Sequence, residues 1–484
     1  MSQLVGREQD LAELNALISQ PGGQFILVYG RRRVGKTTLL LHWAQQSGYP
    51  LIYWVASRDT AAQVRLSFVK SLWNWVYPNS QSIPRFESWA DIFDLAAQLI
   101  KGKLGEEDRI ILILDEFSYA AESDPSLPSY LQAAWDHRFK NSNVILVLAG
   151  SHLGMMTELM SYQAPLYGRF TGQLPVEPLP FSSLNRFLPG YSPQERVEVY
   201  SVVGGIPAYL ERFNPNESVG ANVQRLFIRR TGMFRSEPFM LIGDVVRRET
   251  QTYEAILKSI AEGNRTSKAI SNALGLPSSH LSPYLQQLDA LHLIERRIPA
   301  TVAPAKRRVS RNSRYHLVDP YLRFYFRFIA PNLNMVELEL SDLLWQRINE
   351  QFSSYVGATA FEELCRQWTV EQARAGKLPF TPELVGSHWS ATEQVDVVAI
   401  NWREKAILLG ECKWLQDAIG ANVVKDLVAK SAHIVSVEEW KIFYVFFSRS
   451  GFSDAAVAEA RKIDARLIDL SLLIKDLDSS ANAY

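Results

Sequence analysis

The segment QFILVYGRRRVGKT, residues 24–37, decides the fold of the N-terminal part of the chain. Its first six residues are almost continuously apolar, which is typical of a strand buried on both faces of a parallel sheet. Residues 30–37 then fit the pattern G-x-x-x-x-G-K-T, and the helical pattern TLLLHWAQQ follows at once. A strand, a glycine-containing turn and a helix in this order predict a loop that binds nucleotide phosphates.

Each residue type in this loop has a chemical role. Gly30 and Gly35 let backbone amides curl around phosphate oxygens, and Lys36 reaches the β and γ phosphates. The Thr37 hydroxyl is placed to ligate Mg²⁺. The predicted nucleotide-binding residues of the loop are Gly30, Arg31, Arg32, Arg33, Val34, Gly35, Lys36, Thr37 and Thr38.

Three more buried-strand patterns follow, LIYWVA, IILILD and VILVLAG, with helix-like segments between them. This alternation predicts an α/β domain with a parallel sheet over residues 1–178. IILILD ends in Asp115, which would hold Mg²⁺, and the adjoining Glu116 would polarise the attacking water, so hydrolysis is predicted as well as binding. Ser151, after VILVLAG, is a candidate sensor of the γ-phosphate, and an ordinary turn serine is the alternative. Arg169 is a candidate arginine finger, and a surface salt bridge is its alternative.

Four short motifs together resemble the archaeal-type ATPase family, a member of the STAND branch of AAA+ related P-loop ATPases. They are VGRE at residues 5–8, GRRRVGKT, LILDEF and the GGIP of residues 204–207. The resemblance implies a RecA-like ATPase core that binds ATP, with Gly6, Arg7 and Pro207 near the adenine. It also implies a helical lid, which we place at residues 179–246.

Residues 247–325 carry three helical patterns, then LIERRIP, a basic loop and RYHLVD, the order of a winged helix-turn-helix. From residue 296 to residue 314 there are seven basic residues and no acidic one: Arg296, Arg297, Lys306, Arg307, Arg308, Arg311 and Arg314. On a wing this patch would contact phosphates of nucleic acid, DNA by preference, while the third helix offers Ser279, His280, Ser282 and Gln286. The alternative is a solvated wing on a module that contacts proteins or regulates the ATPase.

After an expected linker at residues 326–345, the segments QVDVVAI and LLGECKW predict adjacent strands in a domain spanning 346–484. They would bring Asp396 close to Glu411 and Lys413. Two carboxylates with the Cys412 carbonyl can hold Mg²⁺, and Lys413 can orient a hydrolytic water. The alternative is an ordinary polar network.

The order of these residues resembles the PD-(D/E)XK nuclease superfamily, and also the domain of unknown function that often follows archaeal-type ATPases. This resemblance covers about residues 356–430. It implies Glu362 as a further metal ligand and Lys425 and Lys430 as phosphate contacts. The expected fold class is therefore α/β: a P-loop RecA-like ATPase core with a helical lid, a winged helix-turn-helix and a C-terminal α/β restriction-endonuclease-like domain.

Composition limits the remaining possibilities. The 484 residues include 51 Lys and Arg and 51 Asp and Glu, so no global charge steers the chain toward an anionic partner. With two cysteines, no secretory signal and no long apolar run, we expect a cytoplasmic protein outside the membrane. The leading hypothesis is an ATP-dependent nucleic-acid enzyme, either monomeric or a homo-oligomer. A regulatory ATPase of STAND type, whose other domains bind proteins and whose metal site is idle, is the alternative.

Overall fold

The computed structural model describes residues 4–78, 80, 82–104, 108–245 and 249–480. The described chain forms two compact units. The first contains the residues up to Leu179 together with Ile206–Ala208, and the second contains Pro180–Gly205 and the residues from Tyr209 onward. The expected boundary between residues 246 and 247 lies outside the described residues.

The first unit is built on a five-stranded parallel sheet in the order β2-β3-β4-β1-β5. Its strands are β1 Gln24–Tyr29, β2 Leu51–Val55, β3 Ile110–Asp115, β4 Val144–Gly150 and β5 Gly172–Pro175. Its helices are α1 Glu8–Ile18, α2 Lys36–Ser47, α3 Ala61–Val76, α4 Trp89–Leu104, α5 Phe117–Ser123, α6 Leu127–Ala134 and α7 Leu153–Glu158. The predicted α/β class and parallel sheet are confirmed, and the edge strand β5 is an addition to the four predicted strands.

The core of this sheet explains the continuous apolar runs. All seven residues of β4 and all six of β3 are buried, because helices cover both faces. An aromatic cluster between β2, α3 and α4 contains Trp54, Phe68 and Trp89, whose rings lie 5.0 to 6.5 Å apart. The sheet therefore places the carboxyl ends of β1, β3 and β4 side by side, where the predicted site residues follow each strand.

The second unit begins with short helices and continues into a winged helix. Helices α8 Leu184–Phe187, α9 Pro193–Val203, α11 Val219–Val223 and α12 Glu237–Val245 come first, and the short helix α10 Pro207–Leu210 begins in the segment that belongs to the first unit. Next are α13 Thr250–Ala261, α14 Ser267–Leu274, α15 Ser278–Ala290, β6 Ile294–Arg297, α16 Pro304–Arg307 and β7 Arg314–Leu317. The Thr266 side chain caps α14 by accepting a hydrogen bond from the Ala269 amide, and β6 pairs with β7 in antiparallel fashion.

A second, mixed sheet forms the C-terminal part, in the order β12-β11-β10-β9-β8. The pairs β8·β9 and β9·β10 are antiparallel, and the pairs β10·β11 and β11·β12 are parallel. The strands are β8 Leu384–Trp389, β9 Gln394–Asn401, β10 Ala406–Lys413, β11 Lys441–Ser448 and β12 Arg466–Asp469. The helices are α17 Pro320–Phe324, α18 Leu333–Glu337, α19 Ser341–Val356, α20 Glu362–Arg374, α21 Ala421–Ile434, α22 Asp454–Lys462 and α23 Leu470–Ser480.

Residues 326–345 are expected to connect two domains. In the structure they include α18 and the start of α19, and Phe328, Val336 and Leu344 in this stretch are buried. The segment is therefore packed into the second unit.

Candidate nucleotide site and candidate metal site

Lys36 is the first residue of α2, where the P-loop ends, and its side chain is almost completely buried. Its ammonium group donates to the Gly30 carbonyl at 2.9 Å, to the Arg31 carbonyl at 3.1 Å and to the Ser151 hydroxyl at 2.9 Å. Burial lowers the pKa of Lys36 to about 8, although the nearby Glu116 and Asp115 carboxylates act in the opposite direction. The predicted residues Lys36 and Ser151 are thus brought together, and a cation is held where solvent stabilises it poorly.

Glu116 continues this hydrogen-bonded chain. The Ser151 hydroxyl donates to Glu116 Oε1 at 2.9 Å, while Oε2 is buried and makes no hydrogen bond among the described residues. The Glu116 backbone is in the left-handed region, with φ of 51°, which a non-glycine residue adopts only when its surroundings hold it there. A carboxylate oxygen without a partner is suited to accept a proton from water.

Asp115 and Thr37 form the second predicted pair. The Thr37 hydroxyl donates to Asp115 Oδ2 at 2.7 Å, and the Tyr53 hydroxyl donates to the same oxygen at 2.9 Å. Burial and the Asp115 charge raise the pKa of Tyr53, so the phenol stays a donor. Hydroxyl and carboxylate oxygens side by side are ligands that Mg²⁺ prefers, so these residues fit the metal. Sequence reasoning missed Tyr53, whose only signal is a polar group inside an apolar strand.

The glycines of the loop meet a steric requirement. A methyl group placed on Gly30 would lie 2.3 Å from the Val176 carbonyl oxygen, so no other residue fits there. Gly35 has φ of 92°, in the left-handed region that glycine adopts without cost, and it leads directly into α2. Together they keep the backbone amides at the start of α2 open to an anion.

The two segments assigned to the adenine by resemblance border the loop. Arg7 is buried, and its guanidinium donates to the Val34 carbonyl at 2.6 Å and pairs with Asp10 at 3.0 Å. The Pro207 ring lies 3.9 Å from a methyl group placed on Gly35. Arg7 therefore braces the P-loop backbone from one side, with Gly6 next to it at a positive φ of 64°.

Arg169 makes close contacts within its own unit. Its guanidinium pairs with Asp136 at 2.9 Å and donates to the carbonyls of Pro165 and Tyr167. A role as an arginine finger would require this ion pair to open, and it stays a prediction.

In the second unit, the candidate metal residues lie on β9, β10 and α20. Asp396 Oδ2 accepts a hydrogen bond from the Cys412 amide at 3.0 Å, so β9 and β10 hold Asp396 beside Glu411. Burial and the neighbouring Glu411 charge raise the pKa of Asp396. Lys413 Nζ pairs with Glu411 Oε1 at 2.6 Å, and Lys430 Nζ lies 3.5 Å from Glu411 Oε2.

Glu362 comes from the start of α20. Burial and the Asp396 carboxylate raise the pKa of Glu362 to about 7, partly offset by Arg366, whose guanidinium lies 3.5 Å away. Arg366 also donates to the Asp396 carbonyl at 3.1 Å. Across the part of the chain that the structure describes, no three His, Cys, Asp or Glu side chains are close enough to form a metal-ligand group. The fit to a cation rests on the buried carboxylates of Asp396 and Glu411, because a cation would relieve their mutual repulsion. Glu411 Oε2 makes no hydrogen bond among the described residues, and its ion-pair partner is Lys430 at 3.5 Å.

Comparison with known proteins gives family matches for two parts of the chain. Residues 4–213 match a family described as an ATPase domain predominantly from Archaea, and residues 325–426 match archaeal and bacterial proteins of unknown function. An uncharacterised protein of Methanocaldococcus jannaschii is 32% identical over 448 residues, which cover 92% of this chain and 95% of that protein. The chain belongs to the archaeal-type ATPase family.

Solved structures add a fold comparison for this archaeal-type ATPase. The Walker-type ATPase of Pyrococcus abyssi matches with a TM-score of 0.51 and 22% identity, over 67% of this chain and 96% of that one. The ORC2 protein of Aeropyrum pernix matches with a TM-score of 0.41 and 15% identity, over 72% of this chain and 95% of that one, too weakly to carry an argument. The comparison with the Pyrococcus abyssi protein bears on the fold alone, and the nuclease resemblance stays a prediction.

The winged helix of the ATPase exposes the predicted helix face. Ser279, His280, Ser282 and Gln286 are exposed on α15, while Leu281, Leu285 and Leu288 point into the core.

The seven basic residues of the wing fall into two groups. Arg296, Lys306, Arg308 and Arg311 are exposed. The others are partly buried: Arg297 pairs with Glu363, Arg307 donates to the Pro299 carbonyl, and Arg314 lies over the Trp389 ring. Four charges of the predicted patch are therefore presented to solvent.

Sequence reasoning missed several charged residues of the second unit, Arg265, Arg323 and Arg366 among them. Arg366 had a signal, because it follows Glu362 by four residues at helical spacing. In the described residues, no helix is both long and apolar enough to cross a membrane.

Proposed function

We propose that this archaeal-type ATPase hydrolyses ATP with Mg²⁺, binds nucleic acid, DNA by preference, and carries a metal-dependent nuclease site whose action depends on the bound nucleotide. The observation that carries the proposal is the partly buried chain of hydrogen bonds from Lys36 through Ser151 to Glu116. It joins a phosphate-binding ammonium to a carboxylate with an unpartnered oxygen. ATP hydrolysis needs these two groups close together.

In the ATPase step, Thr37 and Asp115 would hold Mg²⁺, which offsets the negative charge of the β and γ phosphates. Lys36 would leave its three present acceptors and bind phosphate oxygens. Ser151 would follow the γ-phosphate, since it already bonds to both Lys36 and Glu116. Glu116 would orient the attacking water and accept its proton.

Nucleic-acid binding is supported by the exposed polar face of α15 and by the four exposed cations of the wing. Cations in this position supply affinity without reading sequence, and exposed Ser, His and Gln side chains supply hydrogen bonds to base edges or phosphates. The test is the dependence of DNA binding on salt for the chain with Arg308 and Arg311 changed to glutamine. Each lost phosphate contact lowers the slope of log K against log salt by about 0.9.

Nuclease action is supported by the arrangement of Asp396, Glu411 and Lys413 at neighbouring positions of β9 and β10. Asp396 and Glu411 would hold the metal, and Glu362 stays a predicted further ligand, because the structure does not bring all three carboxylates within one ligand group. Burial opposes the charge of Lys413, but the ion pair with Glu411 outweighs it and raises the pKa of the ammonium, which stays charged beside the attacked phosphate. The proposal includes control by ATP because one chain carries both sites.

The experiment is a cleavage assay on linear, circular and single-stranded DNA and on RNA, with Mg²⁺ or Mn²⁺, with and without ATP. Asp396→Asn is the test variant, because the amide oxygen can still accept the Cys412 hydrogen bond while the charge is lost. Asp426→Asn, an exposed change on α21, is the matched control. Cleavage that is lost only in Asp396→Asn supports the nuclease, and Lys36→Ala then tests control by ATP.

One observation favours the regulatory alternative. The wing packs on the C-terminal sheet: the Ala300 amide donates to the Ser387 carbonyl at 2.8 Å, and Asn312 exchanges hydrogen bonds with Trp389. A wing used for domain contacts has less surface for DNA. Absence of cleavage on every substrate, with ATP hydrolysis intact and DNA binding insensitive to salt, would favour a regulatory ATPase.

A further inference from the structure

A cavity of about 380 Å³ lies within the second unit, between the winged helix, helices α19 and α20, and strand β8. Ligand sites typically have volumes of 300 to 1,000 Å³, so the cavity has room for a ligand of about one nucleotide. Glu362 and Asp396 form part of its wall, but most of the wall comes from residues outside the candidate metal site.

Six arginines line this cavity, and four of them form no ion pair with any described residue: Arg265, Arg314, Arg323 and Arg327. Three of these four contact neutral groups instead. Arg314 donates to Gln394 at 3.4 Å, Arg323 to the Leu317 carbonyl at 3.0 Å and Arg327 to Gln351 at 2.9 Å. Among the described residues, the Arg265 side chain makes neither a hydrogen bond nor an ion pair.

The other two arginines of the wall are already neutralised. Glu363 accepts from Arg297 at 3.1 Å and from Arg366 at 2.8 Å. The wall also contains Glu262 and Glu350, and neither forms an ion pair with an arginine of the cavity in the described part of the chain. The Glu362 and Asp396 carboxylates also line the wall, and the Glu362 charge acts on Arg265 without an ion pair between them. The four arginines are therefore the ones that no carboxylate of the described residues contacts directly.

His316 lies among these arginines. Burial and the charges of Arg297, Arg265 and Arg323 lower the pKa of His316 to about 2, so the ring is neutral. Its Nε2 atom is buried and has no hydrogen-bond partner in the described residues. A buried ring nitrogen without a protein partner in a cavity lined by arginines is available to a bound ligand.

Aromatic rings complete the wall. Phe328 and Tyr355 form an edge-to-face pair with centroids 5.1 Å apart, and Trp389 lies under the Arg314 guanidinium at 4.9 Å. Guanidinium groups recognise phosphate by two parallel hydrogen bonds, and aromatic faces stack on bases. A ligand with both a phosphate and a base fits this wall better than a simple anion.

We propose that this cavity binds a nucleotide through its phosphate group, with Arg265, Arg314, Arg323 and Arg327 as phosphate ligands. The site is separate from the P-loop, and its occupation requires neither ATP hydrolysis nor cleavage of nucleic acid. A free mononucleotide and the phosphorylated end of a strand carry the same chemistry.

The test uses the full chain with Lys36→Ala, which weakens nucleotide binding at the P-loop. Thymidine monophosphate, thymidine and inorganic phosphate are titrated by calorimetry. We expect the monophosphate to bind with one site per chain and thymidine to bind at least tenfold more weakly, because a charge-assisted hydrogen bond changes affinity by about tenfold or more.

Arg265→Gln is the decisive variant, because the Arg265 side chain makes no hydrogen bond or ion pair within the described residues that the change would remove. It should weaken binding of the monophosphate at least tenfold, and Arg323→Gln should do the same if its melting temperature is unchanged. Arg403→Gln is the control, since Arg403 is exposed outside the cavity and the change removes the same charge. No binding of the monophosphate, or equal binding by Arg265→Gln and the control, would overturn the proposal.

The two sources of the phosphate are separated by a second titration. A thymidine dinucleotide is compared with and without a 5′-phosphate. Tighter binding of the phosphorylated dinucleotide than of the mononucleotide assigns the cavity to strand ends, and the reverse order assigns it to free nucleotide. Equal binding of both dinucleotides, with no loss in Arg265→Gln, would contradict a phosphate site of either kind.

Discussion

The buried positive charge of Lys36 lowers the free energy of unfolding, and replacing Lys36 by methionine measures by how much. Burial lowers the pKa of Lys36 from 10.5 to about 8. One pKa unit corresponds to about 1.36 kcal/mol, so the charged ammonium destabilises the fold by about 3 kcal/mol. The methionine side chain has a similar length and carries no charge.

The sign follows from the direction of the shift. The folded state binds the proton more weakly than the unfolded state, so the penalty is fully present below pH 8 and fades as the pH rises toward 10.5. From pH 7 to pH 10 the wild-type chain should gain about 2 to 3 kcal/mol relative to Lys36→Met. The hydrogen bonds that the variant loses to Gly30, Arg31 and Ser151 reduce its stability at every pH, so only the change with pH isolates the charge.

The assay is urea unfolding read by pulse proteolysis of an N-terminally tagged chain, so that the signal comes from the first unit. Lys70→Met, an exposed change on α3, is the control. The difference in the free energy of unfolding between this control and the wild type should stay constant with pH. The reasoning would be refuted if the difference in the free energy of unfolding between wild type and Lys36→Met stayed the same from pH 7 to pH 10, or changed in the opposite direction.

Three other variants test separate parts of the structure. Glu116→Gln should reduce ATP turnover by about 10²- to 10⁴-fold with nucleotide affinity little changed, as measured by phosphate release and equilibrium binding, because only proton transfer is lost; an equal loss of affinity would count against its assigned role. Glu362→Gln should raise the melting temperature at pH 7.5 without metal. The pKa of Glu362 is raised from 4.5 to about 7, so its negative charge destabilises the fold increasingly over this pH range and fully above it. The glutamine carries no such charge. Mg²⁺ should then stabilise the wild type more than this variant, and equal stabilisation would remove Glu362 from the metal site. Gly220→Ala should lower the free energy of unfolding by about 1 to 3 kcal/mol in chemical denaturation, because the added methyl would lie 2.7 Å from the Trp345 ring; an unchanged value would show that the ring moves aside.

The sequence alone was sufficient to predict the fold and the site residues wherever the local pattern and the chemistry lie in one contiguous segment. The P-loop is an example, since strand, glycines, Lys36 and Thr37 are all contiguous. The parallel sheet followed from strands apolar on both faces. Strand β5 has a single buried residue, Leu174, so no periodicity marks it. Its pairing with β1 is decided by long-range contacts alone.

The rest of the candidate sites depends on contacts between distant residues. Tyr53 reaches Asp115 only because β2 and β3 are neighbours, a pairing that the sequence order does not reveal. The cavity arginines come from segments more than 100 residues apart, such as Arg265 and Arg366. The composition is that of a neutral chain, and it gives no sign of the cluster of six arginines that forms only after folding.

The hydrogen bonds between the wing and the C-terminal sheet have a consequence for any DNA that both would contact. Ala300 is buried in the same core as β9 and β10, so the wing and the carboxylate strands belong to one packed body. In a duplex bound by the wing, the phosphates nearest Asp396 would lie at a fixed distance along the DNA from the bound segment. Cleavage would then occur at a constant number of base pairs from the DNA segment that the bound wing protects.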